Sequence, residues 1–228
     1  PITANRTSEL MKEGLLYQNM SESVISKASN WEATLISSGF IPISNQLSSK
    51  VSVFRHPFSL SEHYAIEIGT LNYTQPILTR IHSACFTGDI LHSLKCDCGD
   101  QLTESIAQIK KAGNGIILYL NQEGRGIGLA NKMRAYKLQD SGLDTFDANH
   151  QLGFEDDERD LSVGAKILTR LGVSKINLLT NNPSKISNME NHGIKVVRRI
   201  PLVTKITTEN KEYLKAKKEK SGHILFQN

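Results

Sequence analysis

Between residues 51 and 81 the apolar positions fall in short β-branched runs: Val51-Ser-Val-Phe54, Tyr64-Ala-Ile-Glu-Ile68 and Pro76-Ile-Leu-Thr-Arg-Ile81. Runs of that length and composition predict strands. The period then changes. From Gln101 to Ala112, Leu102, Ile106 and Ile109 recur at helical spacing, and Gly113-Asn114-Gly115 supplies the stop and the turn. Ile116-Ile-Leu-Tyr-Leu120 carries no charge and predicts a buried strand, followed by a glycine-rich turn and a helix near Leu129 to Leu138. Beyond a polar loop, Leu161 to Leu171 reads as helix and Ile176-Asn-Leu-Leu179 as strand. Ser184 to Asn191 again reads as helix and Ile194-Lys-Val-Val197 as strand. This alternation predicts an α/β (α+β) fold, a mixed β-sheet core with some parallel pairing. Residues 1 to about 48 differ: they are rich in Ser, Asn and Glu, with scattered Leu10, Leu15, Leu16, Ile25, Leu35 and Ile36. That pattern predicts a short N-terminal helical segment of one or two amphipathic helices anchored by Trp31. Two regions follow: a helical extension over 1–48 and a larger domain over 49–228.

Composition narrows the class without deciding it. With 228 residues and 39% hydrophobic content, the chain is long enough to bury a core and unlike collagen, a coiled coil or a disordered tract. No run of about 18 apolar residues offers a membrane span, and no apolar signal segment precedes the domain, which favours a cytoplasmic setting. The net charge of +4 first hints at nucleic acid, but residues 211–220 alone hold five Lys and two Glu, three of those four charges. A lysine run near one end, with no accompanying motif, reads as a solvated face rather than a nucleic-acid surface.

All three cysteines, Cys85, Cys96 and Cys98, lie within fourteen residues. On an extended segment, Cys96 and Cys98 would present both thiols on one side of the pleat. Three thiolates and an open fourth position match a catalytic zinc site, and His82 or His92 would close it into a structural one. Small buried thiols are the plain alternative; a redox pair is disfavoured because a single intervening residue strains a disulfide.

A second cluster, Gln122-Glu-Gly-Arg-Gly-Ile-Gly128, joins the buried strand to a helix. Such a turn brings backbone amides to phosphate oxygens, and Arg125 adds a bidentate contact, although a packing turn explains it equally well. The glycine spacing fits neither the dinucleotide nor the triphosphate-loop fingerprint. Glu155-Asp-Asp-Glu-Arg-Asp160 suits a helix N-terminus. Thr180-Asn-Asn-Pro-Ser-Lys185 sits where α/β proteins bind ligands and also reads as a capped helix start.

Together these segments closely resemble GTP cyclohydrolase II, the riboflavin-biosynthesis enzyme that opens the guanine ring of GTP. The stretches that carry the resemblance are Arg80-Ile-His-Ser-Ala-Cys85-Phe-Thr-Gly-Asp89, Leu94-Lys-Cys-Asp-Cys-Gly99 with Gln101, and Gln122 to Leu129. Arg134-Ala-Tyr136, Asp144 to Phe154, Asp157-Glu-Arg-Asp160, Leu178 to Pro183 and the basic tail from Asn210 to His223 extend it. The likeness runs from about Val51 to Leu225.

The resemblance implies roles. Cys85, Cys96 and Cys98 correspond to ligands of one zinc ion per chain. Arg80, His82, Gln101, Glu123, Arg125, Thr145, Thr180 and Lys185 correspond to contacts with GTP. Tyr136, Asp157 and Arg159 correspond to the residues assigned to catalysis. In the family, a zinc-activated water attacks the imidazole carbon of guanine, formate leaves, and pyrophosphate is released with Mg2+ on the phosphates. A cytoplasmic homodimer with one activity is the implied form. The family's assignment of the arginine at position 159 as nucleophile meets a physical objection: a guanidinium stays protonated and ordinarily clamps phosphate. The chain also departs from the family by carrying Ala84 where a Glu is usual beside the first zinc cysteine. That departure keeps two alternatives in view, a paralogue opening GTP for another pathway such as uracil catabolism and a non-catalytic zinc- and GTP-binding sensor.

Overall fold

The structure, a computed structural model, describes residues 31–43, 47–56 and 61–204, together with 207, 208, 210, 215, 222 and 224. The chain divides into two compact units, residues 1–32 and 33–228, and the fold is that of the second. Strands β1 (Thr34–Pro42), β2 (Ser48–Arg55) and β3 (Glu62–Ile68) form an antiparallel meander. β4 (Ile77–Ser83), β5 (Gly115–Leu120), β6 (Lys175–Leu179) and β7 (Lys195–Ile200) run parallel to one another, and β3 meets β5 antiparallel. The seven strands lie in the order β1-β2-β3-β5-β4-β6-β7.

Parallel neighbours need crossover connections, and helices supply them. α1 (Phe86–Asp89) and α2 (Cys98–Ala112) join β4 to β5; α3 (Gly128–Asp140), α4 (Thr145–Gln151) and α5 (Ser162–Arg170) join β5 to β6; α6 (Pro183–Asn191) joins β6 to β7. Helices on both faces explain why Ile116, Ile117, Leu118 and Leu120 are all at most 1% exposed: β5 is covered on each side, so its sequence is continuously apolar. Each such side chain contributes ~1.5–3 kcal/mol by leaving water. On one face Leu102, Ile106 and Ile109 of α2 pack with Ile117, Leu78 and Leu179. On the other, Gly164 of α5 lies against Ile81 and Met189. Period-two alternation along β4 thus turns Leu78, Arg80 and His82 toward α2 and Ile81 toward α5 and α6.

The strands and helices expected from Val51 onward are present, with boundaries moved by a few residues. Two expectations fail. Thr34–Pro42, inside the stretch read as helical, is an edge strand with every residue exposed, and its register shifts between Leu35 and Ser37. Trp31 is half-buried, and the helices it is expected to anchor lie outside the described residues. Cys96 and Cys98 do not share an extended segment, since Asp97 (φ −102°, ψ 13°) is the N-cap of α2 and Cys98 its first residue. Residues 1–30 and all of the basic stretch 211–220 except Lys215 lie outside the described residues.

His63 of β3 is 3% exposed and accepts the Asn121 amide N–H at Nδ1 (3.1 Å). Burial, then His56, pushes its pKa below 6.5, against an opposing pull from Asp160. Below pH 6.5 the unfolded chain therefore takes up a proton that the native state refuses, and stability falls with pH in that window. His82, shifted the same way by burial, adds to the slope. Urea midpoints will drop between about pH 7.5 and about pH 5.5, and less so in His63→Gln, whose amide oxygen keeps the Asn121 contact. Equal slopes for the two proteins would contradict this.

Candidate active site

Parallel strands end at the same edge of a sheet, and the segments leaving them converge there. β4, β5 and β6 deliver Ser83 to Cys85, Gln122 to Arg125, and Thr180 to Lys185 to one cleft. Arg80, His82, Cys85, Cys96, Cys98, Gln101, Glu123, Arg125, Tyr136, Arg159, Thr180 and Lys185 all line it. Asp157 reaches it through Arg159. Thr145 begins α4, and its side chain lies outside what the structure describes.

The three sulfurs lie within 4.8 Å of one another, with Cys85 Sγ and Cys96 Sγ 3.8 Å apart. Four ligands at about 2.3 Å from a tetrahedral zinc stand about 3.8 Å from each other, so the triad can hold one such ion. Neither histidine closes the set: His82 engages Arg80 and Asp89 with its ring nitrogens, and His92 is exposed. Close backbone approach builds the triad. A Cβ on Gly99 would stand 2.2 Å from Gly88 O, and Gly88 itself lies against Cys96 Sγ and Cys98 Cβ. The N-terminus of α2 places its dipole behind Cys98 and favours a thiolate there. Hydrogen bonds from Cys96 and Cys98, with the Lys132 ammonium adding to them, hold the Cys85 thiol far below its ordinary pKa. Cys96, bonded to that thiolate, is pushed up to about 11.

A buried polar chain fixes both ends of the cysteine segment. Asp97, 0% exposed, accepts from Gln101 Nε2 (2.6 Å), and Gln101 Oε1 accepts from Arg80 Nη2 (2.6 Å). Arg80 also donates to Leu179 O (3.0 Å) and lies 3.4 Å from His82 Nδ1. Arginine only donates, so Nδ1 is the acceptor and Nε2 carries the proton that goes to Asp89 (3.0 Å). Asp89 Oδ2 also accepts from the Cys85 amide and from Tyr119 OH, whose ring stacks on His82. Burial holds Arg80 down to about 10, against Cys98, Asp97 and Asp89, so it stays cationic at neutral pH. Its buried Nε has no hydrogen-bond partner, an open donor beside the cleft.

The glycine-rich turn forms a short 3-10 segment, Glu123–Gly126, in which Gly124 (φ 62°) and Arg125 (φ 60°) are both left-handed. A non-glycine residue held there costs about 1–2 kcal/mol, strain characteristic of ligand clamps. Arg125 O accepts from the Glu158 amide, which fixes the turn to the acidic segment. There Arg159 forks onto Asp157, with Nε to Oδ1 at 2.7 Å, and Nη1 reaches Ser83 Oγ at 3.2 Å. Burial alone would raise the Asp157 pKa; the Arg159 fork outweighs it and holds the carboxylate below its usual range. Opposite, Asn182 caps α6 by accepting from the Ser184 amide, and Lys185, 6% exposed, donates to Ile81 O (2.6 Å). Burial raises the Tyr136 hydroxyl above its ordinary pKa, which keeps it a proton donor.

Two residues with direct roles in this geometry escaped the sequence reading. Asp89 sits four residues after Cys85, a spacing that lets one turn return its carboxylate to the cysteine amide. Lys132 precedes Tyr136 by four on the same face of α3 and enters the cleft wall beside it.

The family model for GTP cyclohydrolase II matches residues 41–201. The chain is 53% identical over 175 residues to "GTP cyclohydrolase-2" of Histophilus somni (strain 2336), covering 77% of this chain and 81% of that protein. It is 51% identical over 179 residues to "GTP cyclohydrolase-2" of Actinobacillus succinogenes, covering 78% and 82%. "Riboflavin biosynthesis protein RibBA" of Endomicrobium trichonymphae is 49% identical over 176 residues, of which this chain spans less than half, 44%. With a family match over most of its length and relatives about half identical to it, the chain belongs to the GTP cyclohydrolase II family.

Proposed function

We propose that this protein opens the imidazole ring of GTP by hydrolysis, releasing formate and pyrophosphate and leaving a diaminopyrimidine ribonucleotide, the first step of riboflavin biosynthesis. One observation carries the reading: three sulfurs within 4.8 Å share a single cleft with Arg80, Arg125, Arg159 and Lys185. A polyanion with a purine attached needs such a combination, cations for its phosphates and a metal site for its ring.

Zinc held by Cys85, Cys96 and Cys98 would supply Lewis acidity and a water acidified toward neutrality. The remaining work falls to the chain. Arg80, Gln101 and His82, buried and mutually bonded, form a rigid wall for the guanine, and Glu123 and Arg125 flank it. Tyr136, neutral at its raised pKa, donates a proton to the departing ring nitrogen. Arg125, Thr145, Thr180 and Lys185 bind phosphate oxygens, with Mg2+ arriving on the triphosphate rather than in a carboxylate cluster of its own. Asp157 holds Arg159 with its fork toward the phosphates, a clamp for the charge that grows as pyrophosphate leaves.

The catalytic domain takes in residues 49–228 and, through the shared sheet, edge strand β1, which leaves the residues before 33 as the accessory segment. Among the described residues no helix is long and apolar enough to cross a membrane. The reading implies a cytoplasmic enzyme whose polyanion is a single nucleotide rather than a nucleic acid. A homodimer fits the exposed apolar side chains of edge strand β1, Leu35, Ile36, Phe40 and Ile41. Ala84 on the cleft wall keeps one second reading, the same ring opening in service of another pathway.

Zinc-loaded protein given GTP and Mg2+ will release formate and pyrophosphate in equal amounts, with the absorbance of the diaminopyrimidine. Tight GTP binding without formate would replace an enzyme with a sensor; formate without pyrophosphate would mean a different product and the second reading.

A further inference from the structure

Lys132 is 9% exposed, and a lysine ammonium removed from water needs acceptors for three N–H groups. It has them: Cys85 Sγ at 3.1 Å, Thr87 Oγ1 at 2.9 Å and Glu123 Oε1 at 2.8 Å. The acceptors come from the turn after β4, from α1 and from the turn after β5, so one side chain of α3 joins three segments of the cleft. Glu123 is held in turn by the amides of Phe86 and Gly124. The same ammonium stands 5.7 Å from the centroid of the Tyr136 ring.

The charge balance points the same way. Three thiolates around a divalent cation leave one net negative charge, and a cation hydrogen-bonded to one sulfur offsets it. A thiolate that accepts such a bond is fixed in orientation and donates less density to a metal, which leaves the ion the stronger Lewis acid.

We propose that Lys132 is a positioning residue for the metal: it orients Cys85, offsets the charge of the thiolate set, and locks Glu123 against the same site. This rests on the metal reading of the cysteine triad. It assigns Lys132 no contact with GTP.

The test uses metal-free parent protein, Lys132→Met, Lys132→Gln and Lys132→Arg, each titrated with Co2+ and with Zn2+ against a chromogenic chelator. Folding is followed in parallel by thermal unfolding. The parent is expected to bind one ion. Lys132→Met and Lys132→Gln are expected to bind about 10- to 100-fold more weakly, because loss of the partner that orients Cys85 and Glu123 outweighs the gain in sulfur donation. Their sulfur-to-cobalt charge-transfer band will move to longer wavelength, because a sulfur without its hydrogen bond gives up density more readily. Lys132→Arg, which restores a cation, will recover most of the affinity. A folded Lys132→Gln that binds zinc as tightly as the parent, with the band unmoved, overturns the proposal. Failure of both neutral variants to fold overturns it too, since it confines Lys132 to the metal. If the parent itself takes up no metal, the metal reading falls first, and the two failures are told apart in one titration.

Discussion

A Cys96→Ser variant will fold, will fail to retain a metal ion, and will release formate from GTP about a thousandfold more slowly than the parent. The magnitude follows from the several kcal/mol of transition-state charge that a Lewis acid stabilises, at about 1.4 kcal/mol per decade of rate. Cys96 is the informative ligand because it is buried and stands 3.8 Å from Cys85, so its hydroxyl replacement keeps the packing while losing the soft donor. Serine also spares the contact between Gly88 and the position-96 side chain that any larger group would crowd. The measurement is metal content by mass spectrometry beside formate release, with thermal unfolding as the control. A variant with a full equivalent of zinc and near-parental turnover would remove the sulfur triad from the chemistry.

Arg159 gives the second large effect. Arg159→Ala will slow pyrophosphate release about 100- to 1000-fold, the usual loss when a preorganised donor to developing charge is removed. Arg159→Lys will recover only a small part of it, since an ammonium offers one point of charge in place of a fork. Asp157→Asn will fall between the two, because the fork onto Asp157 Oδ1 orients the guanidinium while the amide keeps one acceptor. The Asp157 carboxylate, held below its usual pKa, keeps the pair charged down through mildly acid pH. All of this describes a clamp. A phosphoramidate on Arg159, trapped during turnover and seen by mass spectrometry, would make the residue a nucleophile instead.

Much of the site was legible because its chemistry is local in sequence. Cys85, Gln122 to Arg125 and Thr180 to Lys185 are short motifs that each follow the end of one parallel strand, Cys96 and Cys98 open α2, and the resemblance to a known family grouped them. The elements between them announced themselves by period: Ile116 to Leu120 is apolar because both its faces are covered, and α2 shows its stripe at Leu102, Ile106 and Ile109. β1 was misread as helix because Leu35-Ile36 and Phe40-Ile41 are adjacent apolar pairs rather than an alternation, on a strand whose faces are both exposed. α4 hides inside the polar run Asp144 to His150. The geometry of Cys96 and Cys98 was out of reach for another reason, since two thiols two residues apart converge here through a turn into a helix start, not along a strand. Lys132 and Asp89 were silent for a third. Each is a charged residue whose only sign of burial is the set of tertiary partners it meets.

Zinc-dependent ring opening is tested by titrating metal-free protein with zinc, in saturating GTP and Mg2+, with formate release as the readout. Formate is expected to be absent without zinc, to rise linearly to a break at one ion per chain, and to disappear again on addition of a chelator. Formate released at the same rate by the metal-free protein would contradict it.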